Sequence, residues 1–126
     1  MIALDTSLLI EALSAGGTKR EEFRRALVDG HRMVLPTLVL YEWLRGPRLP
    51  SELALQETML PAAGALAFGA EEARAAADLY REVPRPRGRE IDLAIAACAI
   101  TWGAALWTLD PGDFLDIPGL RLFEGS

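Results

Sequence analysis

The chain has 126 residues, of which 51% are hydrophobic and 25% charged, a composition typical of a globular domain and unlike disordered, collagen-like or repeat sequences. Eighteen acidic residues against 13 basic ones give a net charge of −5, which argues against broad electrostatic coating of nucleic acid. The single Cys98 and the single His31 exclude an internal disulfide and a structural zinc site, which needs four nitrogen or sulfur ligands.

The sequence also predicts a location. Cys98 lies between alanines in an apolar stretch, which favours a buried thiol in a reducing cytoplasm. The apolar residues 1–4 are followed at once by Asp5, and no apolar run approaches the ~20 residues that a bilayer span requires. We therefore expect a cytoplasmic protein with no secretory signal and no membrane association.

Short apolar segments alternate with helical patterns along the chain. The predicted strands are residues 1–4, 33–35, 104–108 and 120–123, with a further short candidate at 65–68. Because short apolar strands separated by helices are typical of a covered parallel sheet, we predict an α/β fold. The expected architecture is a three-layer α/β/α sandwich with a mainly parallel sheet, formed by residues 1–126 as a single domain.

Helix boundaries are predicted from capping residues and from glycine and proline stops. The first helix is expected to follow hydroxyl caps at Thr6 and Ser7, and the second to open with a capping box at residues 18–21. Thr37 is expected to cap the third helix, and Ser51 to open the fourth. Two more helices are predicted over residues 71–83 and 91–102. The latter is apolar almost all round, which predicts a central, buried helix.

Four acidic residues occupy positions that solvated surface acids do not explain. Asp5 ends the first strand and Asp110 follows the strand at 104–108, where ligand sites gather in parallel sheets. Asp92 and Glu42 lie among apolar residues, where a carboxylate must be paired, hydrogen-bonded or metal-bound. Structural alternatives remain open: Asp5 as a helix cap, Asp92 as a first-turn dipole partner, Asp110 as an Asx turn or cap, and Arg45 as an ion-pair partner of Glu42.

Together these acids form a donor set that contains oxygen only. Without a partnering histidine or cysteine, such a set suits a hard cation, Mg²⁺ or Mn²⁺. The chemistry that it supports is metal-assisted hydrolysis at phosphorus, in which the ion activates water and neutralises phosphoryl charge.

The motifs around these acids resemble the PIN-domain family, and more narrowly the VapC-type toxins of prokaryotic toxin–antitoxin pairs. The resemblance runs from Met1 to about Leu122. No single motif is specific to the family, but four motifs in this order and at these separations make a strong signal. The motifs are Asp5-Thr6-Ser7, Tyr41-Glu42-Trp43-Leu44, Ile91-Asp92-Leu93-Ala94-Ile95-Ala96-Ala97 and Thr108-Leu109-Asp110-Pro111-Gly112-Asp113-Phe114.

The resemblance implies a Mg²⁺- or Mn²⁺-dependent endoribonuclease whose metal ligands are Asp5, Asp92 and Asp110. Asp5, Glu42 and Asp92 match the three most regular acids of the family, and Asp110 matches its more variable fourth; these four residues are the implied catalytic set. Three further residues match positions that orient acids or substrate or that lie beside the site: Thr6, Thr108 and Asp113.

The resemblance also implies partners. Family members of this kind are silenced by a small antitoxin whose tail covers the site, and they usually form homodimers. Trp43, Leu44, Met59 and Leu60 are apolar residues on predicted helices, and they fit either such an interface or the core.

Positive charge is concentrated beside the proposed site acids. Arg85, Arg87 and Arg89 lead directly to Asp92, and Arg45 follows Glu42. We hypothesise that these four arginines hold RNA phosphates that flank the cleaved bond, the alternative being that they are helix-end cations.

Two other classes of function stay open. The first is a catalytically silent binding module that keeps the fold. The second is an acidic phospho-receiver domain, which needs an acceptor Asp near the middle of the chain and a Lys near its end. The sequence offers little for the second class, because no Asp lies between Asp29 and Asp78 and the only lysine is Lys19.

Overall fold

The sheet at the centre of the molecule has three short parallel strands in the order β2-β1-β3. The computed structural model describes residues 1–125, in which β1 spans Ile2–Leu4, β2 spans Met33–Val34 and β3 spans Ala105–Trp107. Every residue of β1 is buried, because this strand has a neighbour on both sides. Its last residue, Leu4, lies opposite Trp107, the last residue of β3, so that the two strands end side by side.

Six α-helices flank this sheet within residues 1–125. They are α1 (Thr6–Leu13), α2 (Arg20–Val28), α3 (Thr37–Arg45), α4 (Pro50–Met59), α5 (Ala70–Glu82) and α6 (Glu90–Thr101), and short 3-10 turns lie at Ala62–Gly64 and Pro111–Asp113. The predicted α/β/α fold with a parallel sheet is confirmed.

Helix α6 is the central helix that the sequence predicts. Residues 93–99 are all buried, and the alanines among them let α5 and β3 approach closely. Cys98 is one of these buried residues, and burial raises the pKa of its thiol to about 11, so the thiol is protonated at neutral pH.

Two of the segments predicted as strands do not form regular strands. In the segment 65–68 only Leu66 pairs with the sheet, through a single parallel bridge to Pro36. In the segment 120–123, Leu122 forms a single parallel bridge to Leu106 of β3. The Leu106 amide donates to the carbonyl of Arg121, and the Phe123 amide donates to the carbonyl of Leu106. Both segments therefore lie along the sheet edges without extending the ladder.

The hydroxyl caps predicted for α1, α2 and α3 are also wrong. The residues at the N-cap positions are Asp5, Lys19 and Pro36, and none of them makes a side-chain cap hydrogen bond. Thr18 donates instead to Glu11, at 2.8 Å from the hydroxyl and 2.9 Å from the amide. The Glu11 carboxylate on α1 thus takes the hydrogen bond of the Thr18 hydroxyl that was expected to cap α2.

Helix α4 begins at Pro50 and not at Ser51, and Glu52 in its first turn is buried. The Glu52 carboxylate accepts hydrogen bonds from the backbone amides of Leu49 at 2.7 Å and Ala15 at 2.6 Å. These bonds lower the pKa of Glu52 and fasten the end of α1 to the start of α4.

The four apolar residues predicted to belong either to an interface or to the core divide evenly. Trp43 and Leu60 are buried in the core, whereas Leu44 and Met59 are exposed. Within residues 1–125, no helix combines the length and the apolar character needed to cross a membrane.

Candidate active site

Asp5 lies where β1 and β3 end together. The Asp5 amide donates to the carbonyl of Trp107 at 2.9 Å, which brings the following residue, Thr108, beside the Asp5 side chain. Asp5 Oδ2 accepts hydrogen bonds from Thr108 Oγ1 at 2.7 Å and from Ser7 Oγ at 3.0 Å. Asp5 is only 6% exposed and makes no side-chain cap bond to α1, so helix capping does not account for its carboxylate.

The two hydroxyls around Asp5 also fix the loop that follows β3. Ser7 Oγ accepts from the Leu109 amide at 3.0 Å, and Thr108 Oγ1 accepts from the Asp110 amide at 3.0 Å. Burial raises the pKa of Asp5 above its usual value, and the hydrogen bonds from Thr108 and Ser7 oppose that rise. Ser7 was not predicted as a site residue, although its place two residues after an acid that ends a strand is the signal that points to it.

Glu42 lies on α3, where Thr6 of α1 and Arg45 of α3 contact its carboxylate. Thr6 Oγ1 donates to Glu42 Oε1 at 2.6 Å, and Arg45 Nη2 lies 3.4 Å from Oε2. The Glu42 side chain is 20% exposed, so its second oxygen faces the solvent side of the site. Thr6 therefore orients Glu42 as Thr108 orients Asp5, and the predicted pairing of Glu42 with Arg45 is present at the outer edge.

Asp92 lies in the first turn of α6 and is partly buried. Its pKa is raised to about 6, first by burial and then by the negative charges of Asp5, Asp113 and Glu42, while the positive charge of Arg89 opposes the rise. Carboxylates that follow β1, lie on α3 and end the 3-10 turn thus act together on Asp92 of α6. Such mutual repulsion is relieved when the group binds a cation.

The structure separates the two acids of the loop after β3. Asp113 is among the charges that act most strongly on Asp92, and Asp110 is not. Both residues are exposed, and Asp110 stands at the N-cap position of the 3-10 turn without a side-chain cap bond to that turn. Asp113 is therefore the acid of this loop whose charge acts more strongly on Asp92, and Asp110 stays a predicted metal ligand.

The four arginines predicted to contact RNA have different environments. Arg45 pairs with Glu42, and its guanidinium carbon lies 5.3 Å from the centre of the Tyr41 ring. Arg89 is engaged internally, with both Nη atoms donating to Asp116, Asp113 and Pro84, so an RNA contact would have to compete with these bonds.

Arg85 and Arg87 remain exposed in the loop before α6. Neither guanidinium has a hydrogen-bond or ion-pair partner among residues 1–125. Arg85 has a φ of 54°, in the left-handed region that residues other than glycine rarely adopt. The loop therefore holds two unpaired cations close in sequence to Asp92.

The donor set fits a hard divalent cation by its chemistry, since every candidate ligand is oxygen. Across residues 1–125, however, no three His, Cys, Asp or Glu side chains stand close enough to form a ready-made metal cage. Mg²⁺ does not require such a cage, because it usually keeps several waters and takes one or two carboxylates together with phosphate oxygens of a substrate. The charge of Asp5 acts on Asp92, and these two carboxylates would suit that mode of binding.

Comparisons with known proteins agree with this fold. The PIN domain family model matches residues 2–120. No curated protein sequence matches the chain. Three similar solved structures are DNA-bound VapBC from Salmonella typhimurium (23% identity, covering 99% of this chain and 98% of that one, TM-score 0.77), VapBC2 from Rickettsia felis bound to a promoter DNA fragment (22%, 98% and 98%, 0.73) and FitAcB from Neisseria gonorrhoeae (20%, 99% and 98%, 0.70).

Proposed function

The chain belongs to the PIN-domain family, and from that premise we propose that it is a Mg²⁺- or Mn²⁺-dependent endoribonuclease that acts as the toxin of a toxin–antitoxin pair. The observation that carries the proposal is Asp5, buried where β1 and β3 end and fixed by two hydroxyls, together with Asp92, whose pKa is raised to about 6 by burial and by the charges of Asp5, Asp113 and Glu42. A group of acids that repel one another at the carboxyl edge of a parallel sheet is suited to a divalent cation and a phosphodiester.

Asp5 and Asp92 would hold the divalent ion, with a further acid from the loop after β3. When bound, such an ion makes a water molecule more acidic and neutralises charge on the phosphoryl oxygens. It also reverses the sign of the local charge, which otherwise repels RNA.

The chain's own residues have three tasks in this proposal. Ser7 and Thr108 keep one oxygen of Asp5 fixed, so that its orientation does not depend on the substrate. Thr6 fixes Oε1 of Glu42 and leaves Oε2, beside Arg45, to accept a proton from the attacking water. The preorganised carboxylates lower the cost of reaching the charge distribution of the transition state.

The activity is tested by incubating the purified chain with total RNA and with fluorophore-quencher RNA oligonucleotides. Cleavage is expected with Mg²⁺ or Mn²⁺ and is expected to stop when EDTA is added, while DNA of the same sequence serves as the control substrate. A chain that cleaves no RNA, or that cleaves it equally well in EDTA, would contradict the proposal.

The choice between Asp113 and Asp110 as the fourth acid is a separate prediction. Asp113→Asn is expected to lower the cleavage rate about 10²-fold, because it removes the carboxylate that would share the ion with Asp92. Asp110→Asn, an equal change on the exposed neighbour, is expected to cost less than about tenfold. Single-turnover cleavage rates of the two variants decide the matter, and a reversed order would return the role to Asp110.

Arg85 and Arg87 are the RNA-contact candidates that remain free. In an Asp5→Asn background, chosen because that change is expected to slow cleavage, Arg85→Ala with Arg87→Ala is expected to weaken RNA binding. Removing two phosphate contacts lowers the slope of log Kd against log salt by about 1.4. Arg24→Ala with Arg32→Ala removes the same charge elsewhere, since Arg32 precedes β2 at the other end of the sheet. Equal slopes in the two double variants would disprove the contact.

The proposed partners are a small antitoxin and a second copy of the chain. The acid cluster offers a site for a basic side chain of an antitoxin tail, and the exposed Tyr41 and Leu44 on α3 are apolar surface available to a homodimer. Light scattering of the isolated chain tests the dimer, and cleavage assays with and without the co-expressed antitoxin test the silencing.

A further inference from the structure

The guanidinium of Arg89 joins two parts of the chain that are far apart in sequence. It donates from Nη1 to Asp116 Oδ2 at 2.9 Å and from Nη2 to Asp116 Oδ1 at 2.6 Å, a two-point contact that fixes its plane. The same two nitrogens donate to the carbonyl of Pro84 at 3.2 Å and to the carbonyl of Asp113 at 3.0 Å. Arg89 therefore binds the loop before α6 and the turn after β3 at the same time.

These contacts connect the two backbone segments that carry Asp92 and Asp113. Arg89 immediately precedes α6, and Asp92 follows three residues later on the rigid first turn of that helix. On the other side, the carbonyl that Arg89 binds belongs to Asp113 itself. Because Asp92 and Asp113 carry like charges and repel each other, a connection between their backbones is needed to keep them close.

Other arginine pairs of the chain have no such geometry. Arg24 with Glu21 and Arg81 with Asp78 are pairs three residues apart on one helix, with both members at least 60% exposed. Exposed pairs of this kind contribute little to stability. The Arg89 side chain is only 20% exposed, and its contacts span 27 residues of sequence.

We propose that Arg89 is a positioning residue, which with Asp116 holds Asp113 beside Asp92 and so prepares the carboxylates to bind a divalent cation. This inference rests on the proposed function. On charge alone, an arginine next to the acids repels an incoming cation, so its removal would tighten cation binding. A positioning role for Arg89 predicts the opposite, which is weaker cation binding after its removal.

The test is the affinity of the metal-free protein for Mn²⁺, measured by calorimetry and by the paramagnetic signal of free Mn²⁺. Arg89→Met is expected to weaken Mn²⁺ binding about tenfold, as the loss of residues that orient metal ligands generally does. Asp116→Asn is expected to weaken it by a similar factor, and the double variant is expected to bind no more weakly than either single one, because both changes break the same contact.

Three further variants complete the design. Arg81→Met removes an exposed arginine in the same way and is expected to leave the affinity unchanged. Arg89→Lys keeps the charge and loses the two-point contact, so it is expected to weaken binding about threefold. Thermal unfolding by circular dichroism verifies that each variant is folded, and Arg89→Lys carries the test should Arg89→Met fail to fold.

The outcomes separate this inference from the proposed function. If the wild type binds Mn²⁺ and Asp5→Asn does not, while the Arg89 variants bind as tightly as the wild type or more tightly, the positioning role is overturned and the metal site stands. If the wild type does not bind Mn²⁺ at all, the proposed function itself is wrong.

Discussion

Replacing Asp5 with Asn is expected to reduce RNA cleavage about 10³-fold and to leave the fold intact. The Asn side chain has the same shape as Asp, and its amide oxygen can still accept the hydrogen bonds of Ser7 and Thr108. What is lost is the negative charge that the proposed ion requires. Because burial already raises the pKa of Asp5, removing that charge should not destabilise the protein.

The measurement is the single-turnover cleavage rate at saturating Mg²⁺, with the melting temperature determined on the same preparation. Asp29→Asn is a matched control, because Asp29 is an exposed residue at the C-terminal end of α2. We expect the control to cleave at the wild-type rate. An Asp5→Asn variant that cleaves within a few-fold of the wild type would remove Asp5 from the mechanism.

Asp92→Asn is expected to stabilise the metal-free protein at pH 7.5 and to have little effect on stability at pH 4. The folded-state pKa of Asp92, about 6, lies above the value of 3.8 expected for an unperturbed Asp in the unfolded chain. The folded state therefore binds this proton more tightly than the unfolded state does, and the contribution of Asp92 to stability falls as the pH rises from about 4 to 6. Above that range the charged carboxylate is a constant cost, which the neutral amide avoids.

The size of this effect follows from the shift and from the partial exposure of Asp92. A displacement of about two pKa units corresponds to at most about 3 kcal/mol, and solvent screening reduces the expected gain to about 1 kcal/mol. Two other acids change stability in the opposite direction with pH. The pKa values of Glu52 and Asp116 are lowered in the folded state, so their contributions are lost as the pH falls.

The informative quantity is therefore the difference between the free energies of unfolding of Asp92→Asn and the wild type, measured by urea denaturation across pH 4 to 8 in EDTA. The difference should grow between about pH 4 and 6 and then level off. A difference that does not depend on pH would show that Asp92 carries no raised pKa. Added Mg²⁺ should stabilise the wild type and not the variant, because the ion binds only the folded, charged site.

Sequence reasoning located the strand ends and the central helix, and with them the positions of three acids of the candidate site. Asp5 follows a buried strand, Asp92 opens an apolar helix, and Glu42 stands on an otherwise apolar turn of α3. These positions are readable because hydrophobic periodicity determines which elements are buried and where they end. The same patterns predicted the parallel sheet, although β2 has only two residues.

The partners of the acids were not predictable in the same way. Thr6 resembles a helix cap in sequence, yet its hydroxyl binds Glu42, which is 36 residues away. Ser7 has the same cap-like setting but serves Asp5 and the Leu109 amide, the latter 102 residues away. Capping rules consider only neighbours along the chain, whereas these carboxyl and amide groups arrive through the packing of β3 and α3 against β1 and α1.

The choice between Asp110 and Asp113 has a similar physical origin. The two acids lie three residues apart at the ends of one 3-10 turn, and composition does not say which end faces Asp92. A tertiary contact distinguishes the two acids, because Arg89 binds the segment 113–116. In the sequence this arginine looks like one of several basic loop residues.

The most direct test of the central claim is the chemistry of the RNA ends. Hydrolysis by water leaves a linear phosphate on one new end and a hydroxyl on the other, whereas attack by the neighbouring 2′-hydroxyl leaves a 2′,3′-cyclic phosphate. In water enriched in oxygen-18, with Mg²⁺ present, mass spectrometry should find linear phosphate ends that carry one solvent oxygen, and Asp5→Asn should form them about 10³-fold more slowly. Cyclic phosphate ends without solvent oxygen, formed equally in EDTA, would contradict the metal-dependent hydrolysis proposed for this site.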